Sequence, residues 1–323
     1  MKLLITGGSG AVGKHLQEIL PDALYIGSKD YDLRNKLEVK NLFKTYKPTH
    51  VVHLAARVGG IQDNINKPAE YFDDNILMNT HILSMCKIYN IKRFIGILST
   101  CIYPDFGDYN RQAANRGALA RLYPMKENLL IAGPPAMTNL EYSYAKRCLA
   151  IQIDAYNQQY NTKYNYLIPC NLYSEYDNFH NDGKAHFVTA LLQKIKEAID
   201  TNSNELNLFG TGKPLRQFIH SKDVARIIAR SIKSDLYENF NVVDNNNMSI
   251  KEIVELTLNA LNIDIQVNFD TSKGPDGQYR KDVSNKKLLQ HFPDFKFTPF
   301  EDGIKSVYES LCNNTYKEQF NES

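Results

Sequence analysis

Lys2-Leu3-Leu4-Ile5-Thr6-Gly7-Gly8-Ser9-Gly10-Ala11-Val12-Gly13 decides the fold. A short apolar run enters a glycine turn, and Val12, Leu16, Ile19 and Leu20 then recur at helical spacing. Strand, glycine turn and helix in that order are the context a dinucleotide fingerprint requires. The glycines let the backbone approach a pyrophosphate seated at the helix N-terminus. The spacing here is Gly7-x-x-Gly10-x-x-Gly13, so the candidate cofactor cradle is Gly7, Gly10, Ala11, Val12 and Gly13.

Outward from that turn, apolar runs alternate with helical patterns. Residues 23–28 read as a second strand, 37–46 as a helix, 50–56 as a strand, 71–90 as a long helix and 93–99 as a buried strand. Alternation of this kind implies an α/β fold with a Rossmann-type, doubly wound parallel sheet. Ligands then bind beyond the carboxyl ends of the strands, where residues 7–13, 55–60 and 99–103 fall. The end of the second strand reads Gly27-Ser28-Lys29. A cation there accommodates a ribose 2′-phosphate, which favours NADP, while Asp30 after it leaves NAD open. Residues 1–171 and 215–244 are expected to form the cofactor domain. Residues 172–214 and 245–312 are expected to form a smaller, discontinuous α+β substrate domain, and 313–323 a tail. Ser249-Ile250-Lys251-Glu252 is a capping box that opens a helix in the smaller part.

The whole-chain totals narrow the classes. A formal net charge of +2 over 323 residues excludes a general nucleic-acid or membrane-surface binder, so any anion site is local. No apolar run approaches the roughly 20 residues of a membrane helix. Five cysteines, an odd number without C-x-x-C spacing, read as reduced thiols rather than a disulfide framework or a metal site. With no signal-peptide pattern, a cytoplasmic protein is expected.

Tyr142-Ser143-Tyr144-Ala145-Lys146 carries the chemistry. On a helix, positions i and i+4 share one face, so a phenol and an ammonium meet the same space. A nearby cation favours the phenolate and brings the phenol's proton transfer toward neutral pH. Such a pair is a general acid/base for a carbonyl or alcohol oxygen.

Together, the glycine turn, Ser99 at a strand end and Tyr142-x-x-x-Lys146 resemble the extended short-chain dehydrogenases/reductases. Four further segments resemble the GDP-L-fucose synthase family within that group, in the same order over about 300 residues. They are residues 53–61 (HLAARVGGI), 99–104 (STCIYP), 169–173 (PCNLY) with 177–179 (DNF), and 215–220 (LRQFIH). The resemblance implies an NADPH-dependent reductase of a GDP-linked 4-keto-6-deoxy sugar. Ser99 would hydrogen-bond the C4 ketone, Tyr142 would protonate its oxygen, and Lys146 would hold the nicotinamide ribose. The family also epimerises C3 and C5 with a Cys and a His, matched here by Cys101 and His186. On residue type alone, Cys101 also reads as a small core residue and His186 as the cap of the helix it opens. Ala55 and Ala56 would line the cofactor, and Val58, Gly59, Thr100, Asn171 and Asn178 the substrate. Lys194 and Arg216 match the family's contacts to the diphosphate, and Arg280 with Lys281 would lie near the nucleotide. Phe209 stands where the family tends to carry Trp, and this chain has no Trp.

The main departure is residues 105–139, a connection about a dozen residues longer than the family's, carrying Arg111, Arg116 and Arg121. A loop of that length beside a site usually carries function. It is expected to reshape the sugar pocket, for a hexose or for a heptose homologue. Apolar residues on more than one face of the helices near 71–90 and 142–160 (Ile76, Met78, Ile82 and Met85; Leu149, Ile151, Ile153 and Tyr156) suggest a homodimer, as the resemblance also implies. The rival readings are a nucleotide-sugar 4-epimerase holding NAD and a dinucleotide-binding sensor without turnover.

Overall fold

Leu3–Thr6 is buried along its whole length and forms the first strand of the sheet on which the chain is built. The computed structural model describes residues 1–105, 121–177, 179, 185–273 and 278–313. In chain order the strands are β1 Leu3–Thr6, β2 Leu24–Ile26, β3 His50–His53, β4 Arg93–Ile97, β5 Tyr164–Pro169 and β6 Asn171–Tyr173. They continue with β7 Glu205–Phe209, β8 Leu215–Arg216, β9 Phe218–His220, β10 Phe240–Val242, β11 Met248–Ser249 and β12 Gln266–Asp270. The helices are α1 Ala11–Ile19, α2 Lys36–Tyr46, α3 Ile61–Asn66, α4 Pro68–Ile88 and α5 Leu140–Tyr160. After them come α6 Phe187–Asp200, α7 Ser221–Lys233, α8 Ile250–Leu261, α9 Lys286–His291 and α10 Phe300–Cys312.

The main sheet has six strands in the order β10-β5-β4-β3-β1-β2, all parallel. Every residue of β4 and β5 is buried, as strands covered by helices on both faces must be. The chain leaves β1 for β2 on one side and returns to β3 on the other, so the topological switch point lies between β1 and β3. The glycine turn and Ala55 meet there. Gly7 has φ +72°, and a Cβ on it would come within 2.7 Å of the Ala55 nitrogen.

Local chemistry sets the helix ends. Asn35 caps α2 by accepting from the Leu37 amide, and Pro68 occupies the first turn of α4, where its missing N–H costs nothing. The expected capping box closes at Ser249 and Glu252, each side chain bonded to the other's backbone.

A second apolar core lies apart from the sheet, built from Tyr173, Val188, Leu192, Ile195, Leu206, Leu208, Ile253, Val254, Ile304 and Val307. Its short strands pair as β7 with β12, β8 with β11 and β6 with β9. The run 215–220 therefore holds two strands with different partners. Val283, Leu288, Phe292 and Phe295, expected in the smaller domain, pack instead into the core of the main sheet. Side-chain amides from elsewhere fix that segment: Gln217 Oε1 accepts from the Val283 amide, and Asn241 donates to the Ser284 carbonyl.

Candidate active site

Tyr142 and Lys146 lie one turn apart near the start of α5, packed alongside α4 and the end of β4. Ser99 sits just past β4 in extended conformation, and its Oγ accepts from the Cys101 amide at 3.3 Å. It thus caps the short 3-10 turn 100–102, and it lies near enough to the Tyr142 hydroxyl to favour the phenolate. Ser99, Cys101, Tyr142 and Lys146 are brought together by three elements that end on the carboxyl side of the sheet.

Electrostatics here differ from the expectation drawn from the helix spacing. Tyr142 is raised, not lowered: burial is the main cause, followed by the Cys101 thiol, with Ser99 opposing. The Lys146 ammonium is turned to the sheet and donates to the Ile97 carbonyl at 2.9 Å. Burial brings Lys146 down to about 8. The phenol is therefore an acid held protonated, which suits reduction of a ketone. Below Lys146 lies a buried polar chain. His53 Nδ1 bonds Thr6 Oγ1 at 2.7 Å, and His53 Nε2 bonds Asn79 Oδ1 at 3.0 Å. Asn79 Oδ1 can only accept, so the His53 proton sits on Nε2. Burial, then the neighbouring Lys146, pushes His53 down to about 3, so it stays neutral.

Tyr71 of α4 meets the Tyr142 ring edge-on, with its hydroxyl on Asp63 at 2.6 Å. The segment Arg57-Val58-Gly59-Gly60 hangs above it. Asn75 bonds both backbone groups of Arg57, and Asn64 donates to the carbonyls of Gly59 and Gly60. A Cβ on Gly59 would overlap the Tyr71 hydroxyl at 2.1 Å, so this close approach requires glycine. Val58 is exposed beside it, while Thr100 is buried.

The described residues fit a dinucleotide. A Cβ on Gly13 would lie 2.5 Å from the Gly8 carbonyl oxygen, so α1 starts tight against the turn. Gly10 caps α1 without a side chain, leaving the first-turn N–H groups of Ala11 and Val12 facing out. Ala55 and Ala56 line the opposite side, half-buried. Asp30 Oδ2 accepts from the Gly27 amide at 2.7 Å. That bond folds the carboxylate back onto its own turn.

The remaining candidates are spread along the smaller part. His186 stands exposed at the N-cap of α6 without a side-chain capping bond, so the cap reading of its ring fails. Lys194 Nζ donates to the Asn207 carbonyl at 2.9 Å, and Arg216 Nη1 to the Leu215 carbonyl at 2.8 Å. Asn171 Nδ2 donates to the Gln217 carbonyl at 2.7 Å, while Phe209 is exposed at the end of β7. Arg280 makes two bonds to the Asp282 carboxylate and stacks 4.7 Å from the Tyr123 ring. Asn178, Arg111 and Arg116 lie outside the described residues.

Lys281 was expected near the nucleotide, and its Nζ lies 3.6 Å from Cys101 Sγ. Asn139 lies near that sulfur too and helps stabilise its charged form. Neither contact has a local signal, since Lys281 and Cys101 are 180 positions apart.

This geometry of glycine turn, switch point and Ser-Tyr-Lys cluster defines a dinucleotide-dependent enzyme class. The chain belongs to the NAD dependent epimerase/dehydratase family, whose family model matches residues 3–242. Over nearly its full length it is similar to GDP-L-fucose synthase of Dictyostelium discoideum, with 36% identity over 97% of this chain and 95% of the relative. GDP-L-colitose synthase of Yersinia pseudotuberculosis is 30% identical over 97% of this chain and 98% of its own. Among solved structures, a GDP-L-fucose synthetase from Naegleria fowleri bound to NADP superposes with a TM-score of 0.83. That protein is 35% identical, over 97% of this chain and 93% of that one.

Proposed function

We propose that the chain reduces the C4 ketone of a GDP-4-keto-6-deoxy sugar with NADPH. The observation that carries this reading is the meeting of Ser99 and Tyr142 at the end of β4, with Lys146 one helical turn away. Hydride delivery to C4 is the chemistry the nicotinamide supplies when bound. As charge develops on the ketone oxygen, Tyr142 passes it the phenolic proton, and Ser99 donates a hydrogen bond to the same atom. Lys146 keeps donors for the nicotinamide ribose beyond the one used on Ile97. Lys194, Arg216 and Arg280 serve the diphosphate of GDP, Asn171 and Asn178 the sugar, and Phe209 the base. The folded-back Asp30 with Lys29 beside it favours NADPH over NADH.

A second reading, in which the chain also epimerises C3 and C5, is favoured by one observation: the contact of Lys281 with the Cys101 thiol. His186, exposed at the head of α6, would then be the acid on the opposite face.

The division into a cofactor domain and a substrate domain follows the two apolar cores, with residues 280–297 returned to the first. A homodimer through α4 and α5 is supported by exposed Phe72, Leu77, Ile88, Tyr144 and Ile151 on those helices. Ile82, Met85, Leu149 and Ile153, read from the sequence as part of that face, are core residues of the protomer itself. Among the described residues no helix is long and apolar enough to cross a membrane, and the five cysteines are unpaired. Both facts suit a cytoplasmic enzyme.

The deciding experiment follows NADPH oxidation with GDP-4-keto-6-deoxy-mannose and its heptose homologue in deuterated water. Oxidation with either sugar supports the reductase, and the faster one names the chain length. Deuterium at C3 or C5 adds the epimerase. No oxidation with either sugar refutes the substrate class.

A further inference from the structure

Cys101 is the one thiol among the described residues that touches the Ser99–Tyr142 pair, and the reduction step does not use it. It is half-buried in the turn after β4. Lys281 reaches it from the far end of the chain, and the backbone that follows Lys281 is pinned at two successive residues. The Met125 amide donates to the Asp282 carbonyl at 2.9 Å, and Gln217 Oε1 accepts from the Val283 amide at 2.8 Å. The carboxylate nearest in sequence cannot draw the ammonium away, because Arg280 occupies both oxygens of Asp282. An ammonium placed 3.6 Å from a sulfur, with the adjacent carboxylate already paired, has the sulfur as its anion.

We infer that Lys281 is a positioning residue that holds Cys101 as a thiolate, ready for the base role that the epimerase reading above gives it. The inference rests on the proposed function for its substrate. In the step, the C–H bond beside the C4 carbonyl breaks, its proton forms S–H on Cys101, and the electron pair passes to the carbonyl oxygen as an enolate. An acid on the other face returns a proton to carbon, the enolate pair closes the new C–H bond, and Cys101 loses its proton to solvent. No oxidant or reductant is consumed.

The surroundings agree with the assignment. Burial opposes the thiolate, but the Lys281 charge, with Ser99 and Asn139 nearby, brings Cys101 below the ordinary thiol value. Lys281 and Tyr142 are the titratable groups bearing on the sulfur among the described residues. The sulfur's charge in turn raises Tyr142, so one ion pair serves both chemistries. It makes a base of Cys101 and keeps Tyr142 an acid.

The test is iodoacetamide alkylation of the full-length enzyme across pH, read at the Cys101 peptide by mass spectrometry, for wild type, Lys281→Met and Lys281→Arg. The wild-type rate should reach half its plateau below the ordinary thiol value of about 8.5. Lys281→Met should slow alkylation at pH 7 at least tenfold and Lys281→Arg should restore most of it. A wild-type midpoint at or above 8.5, or an identical profile in Lys281→Met, overturns the ion pair. Should Lys281→Met not fold, the wild-type midpoint alone decides. Deuterium exchange at C3 and C5 relative to NADPH oxidation should fall at least tenfold in Lys281→Met. A low thiolate midpoint without exchange in the wild type overturns the role as base and leaves the reductase reading standing. Absence of NADPH oxidation refutes that reading separately.

Discussion

Tyr71 presents its ring edge to Tyr142, with centroids 6.4 Å apart and planes at 83°, while Asp63 holds its hydroxyl at 2.6 Å. Tyr71 is 1% exposed and the Arg57 guanidinium lies over its ring. The contact joins the proton donor on α5 to the Val58–Gly60 segment through one side chain. Tyr71→Phe keeps the ring and loses only the Asp63 bond, so stability should fall by about 1 kcal/mol. Tyr71→Ala removes the wall behind Tyr142 and should cost about 3–5 kcal/mol as a large aromatic truncation. Its kcat should fall more than that of Tyr71→Phe. Thermal unfolding and steady-state rates on the two variants check this. Equal kcat in both would mean the ring does not position Tyr142.

The glycine turn allows a graded test. A Cβ on Gly13 would meet two backbone oxygens, Gly8 O at 2.5 Å and Gly7 O at 2.6 Å, which cannot swing aside. On Gly10 the nearest atom is Gly7 O at 3.4 Å, an ordinary contact. Gly13→Ala should therefore destabilise the free enzyme by about 1–3 kcal/mol. Gly10→Ala should cost under about 1 kcal/mol, the scale of an altered N-cap. Melting without cofactor separates the two, and an NADPH titration should show both weakened.

Cofactor choice turns on the end of β2. If Lys29 meets the 2′-phosphate, Lys29→Ala removes one charge-assisted bond worth about 1.5–3 kcal/mol. That corresponds to a loss of about tenfold to hundredfold in kcat/KM for NADPH, with little change for NADH. Asp30 is occupied with the Gly27 amide, so Asp30→Asn should leave the residual NADH activity unchanged. A loss of NADH activity in Asp30→Asn would place that carboxylate on the ribose after all.

Glu175 ties the two cores together. Its carboxylate faces His15 Nε2 at 3.4 Å and His220 Nε2 at 3.2 Å, and accepts from Ser306 at 2.5 Å. These residue types also suit a metal. Yet His220 Nδ1 accepts the Lys222 amide at 3.2 Å, which leaves the proton on Nε2, the atom turned to Glu175. The cluster is an electrostatic clasp, in which Ser306 bonds one carboxylate oxygen and the two histidine nitrogens face the other. Burial raises Glu175, but its contacts with His15, His220 and Ser306 outweigh it and hold the carboxyl well below its ordinary range. A depressed carboxyl contributes stability above its unfolded value of about 4.3, lost as pH falls through the folded value. Glu175→Gln should therefore be less stable by about 1–3 kcal/mol at pH 7. The gap to wild type should shrink as pH falls below about 4.3, as urea titrations at pH 7, 5 and 3.5 would show. A gap undiminished at pH 3.5 would mean the carboxylate charge is not its source.

Much of this was legible in the sequence where the signal was local. The run from Lys2 to Gly13, the buried strands at 93–97 and 164–169, and the Ser249–Glu252 box all carry their structure in adjacent residues. The i, i+4 spacing likewise put Tyr142 and Lys146 on one face. What it could not give was their burial. Desolvation of both groups, with Lys146 turned to Ile97, reverses the expected direction for Tyr142. Contacts across the chain were also illegible. Lys281 meets Cys101, and β7 pairs with β12 some 60 positions on, through partners no local pattern identifies. Leu206 and Leu208 alternate with exposed neighbours as a half-buried strand should, but five residues are a weak periodic signal.

The pH dependence of the reductase follows from the same two groups. The profile of kcat/KM for NADPH reports ionisations of the free enzyme. Tyr142 lies above its ordinary value, so it stays protonated across the working range and contributes no limb below about pH 10. Lys146 is brought down to about 8 by burial, so its ammonium is lost as pH rises through that value. With the ammonium goes the charge that binds the ribose, and kcat/KM should fall tenfold per pH unit above about 8. Lys146→Arg cannot lose its charge in this range, so whatever activity it keeps should show no such limb. Tyr142→Phe should lower kcat by about a hundredfold to ten-thousandfold, the span of a lost general acid, while binding NADPH nearly as wild type does. An alkaline limb unchanged in Lys146→Arg would assign it to another group.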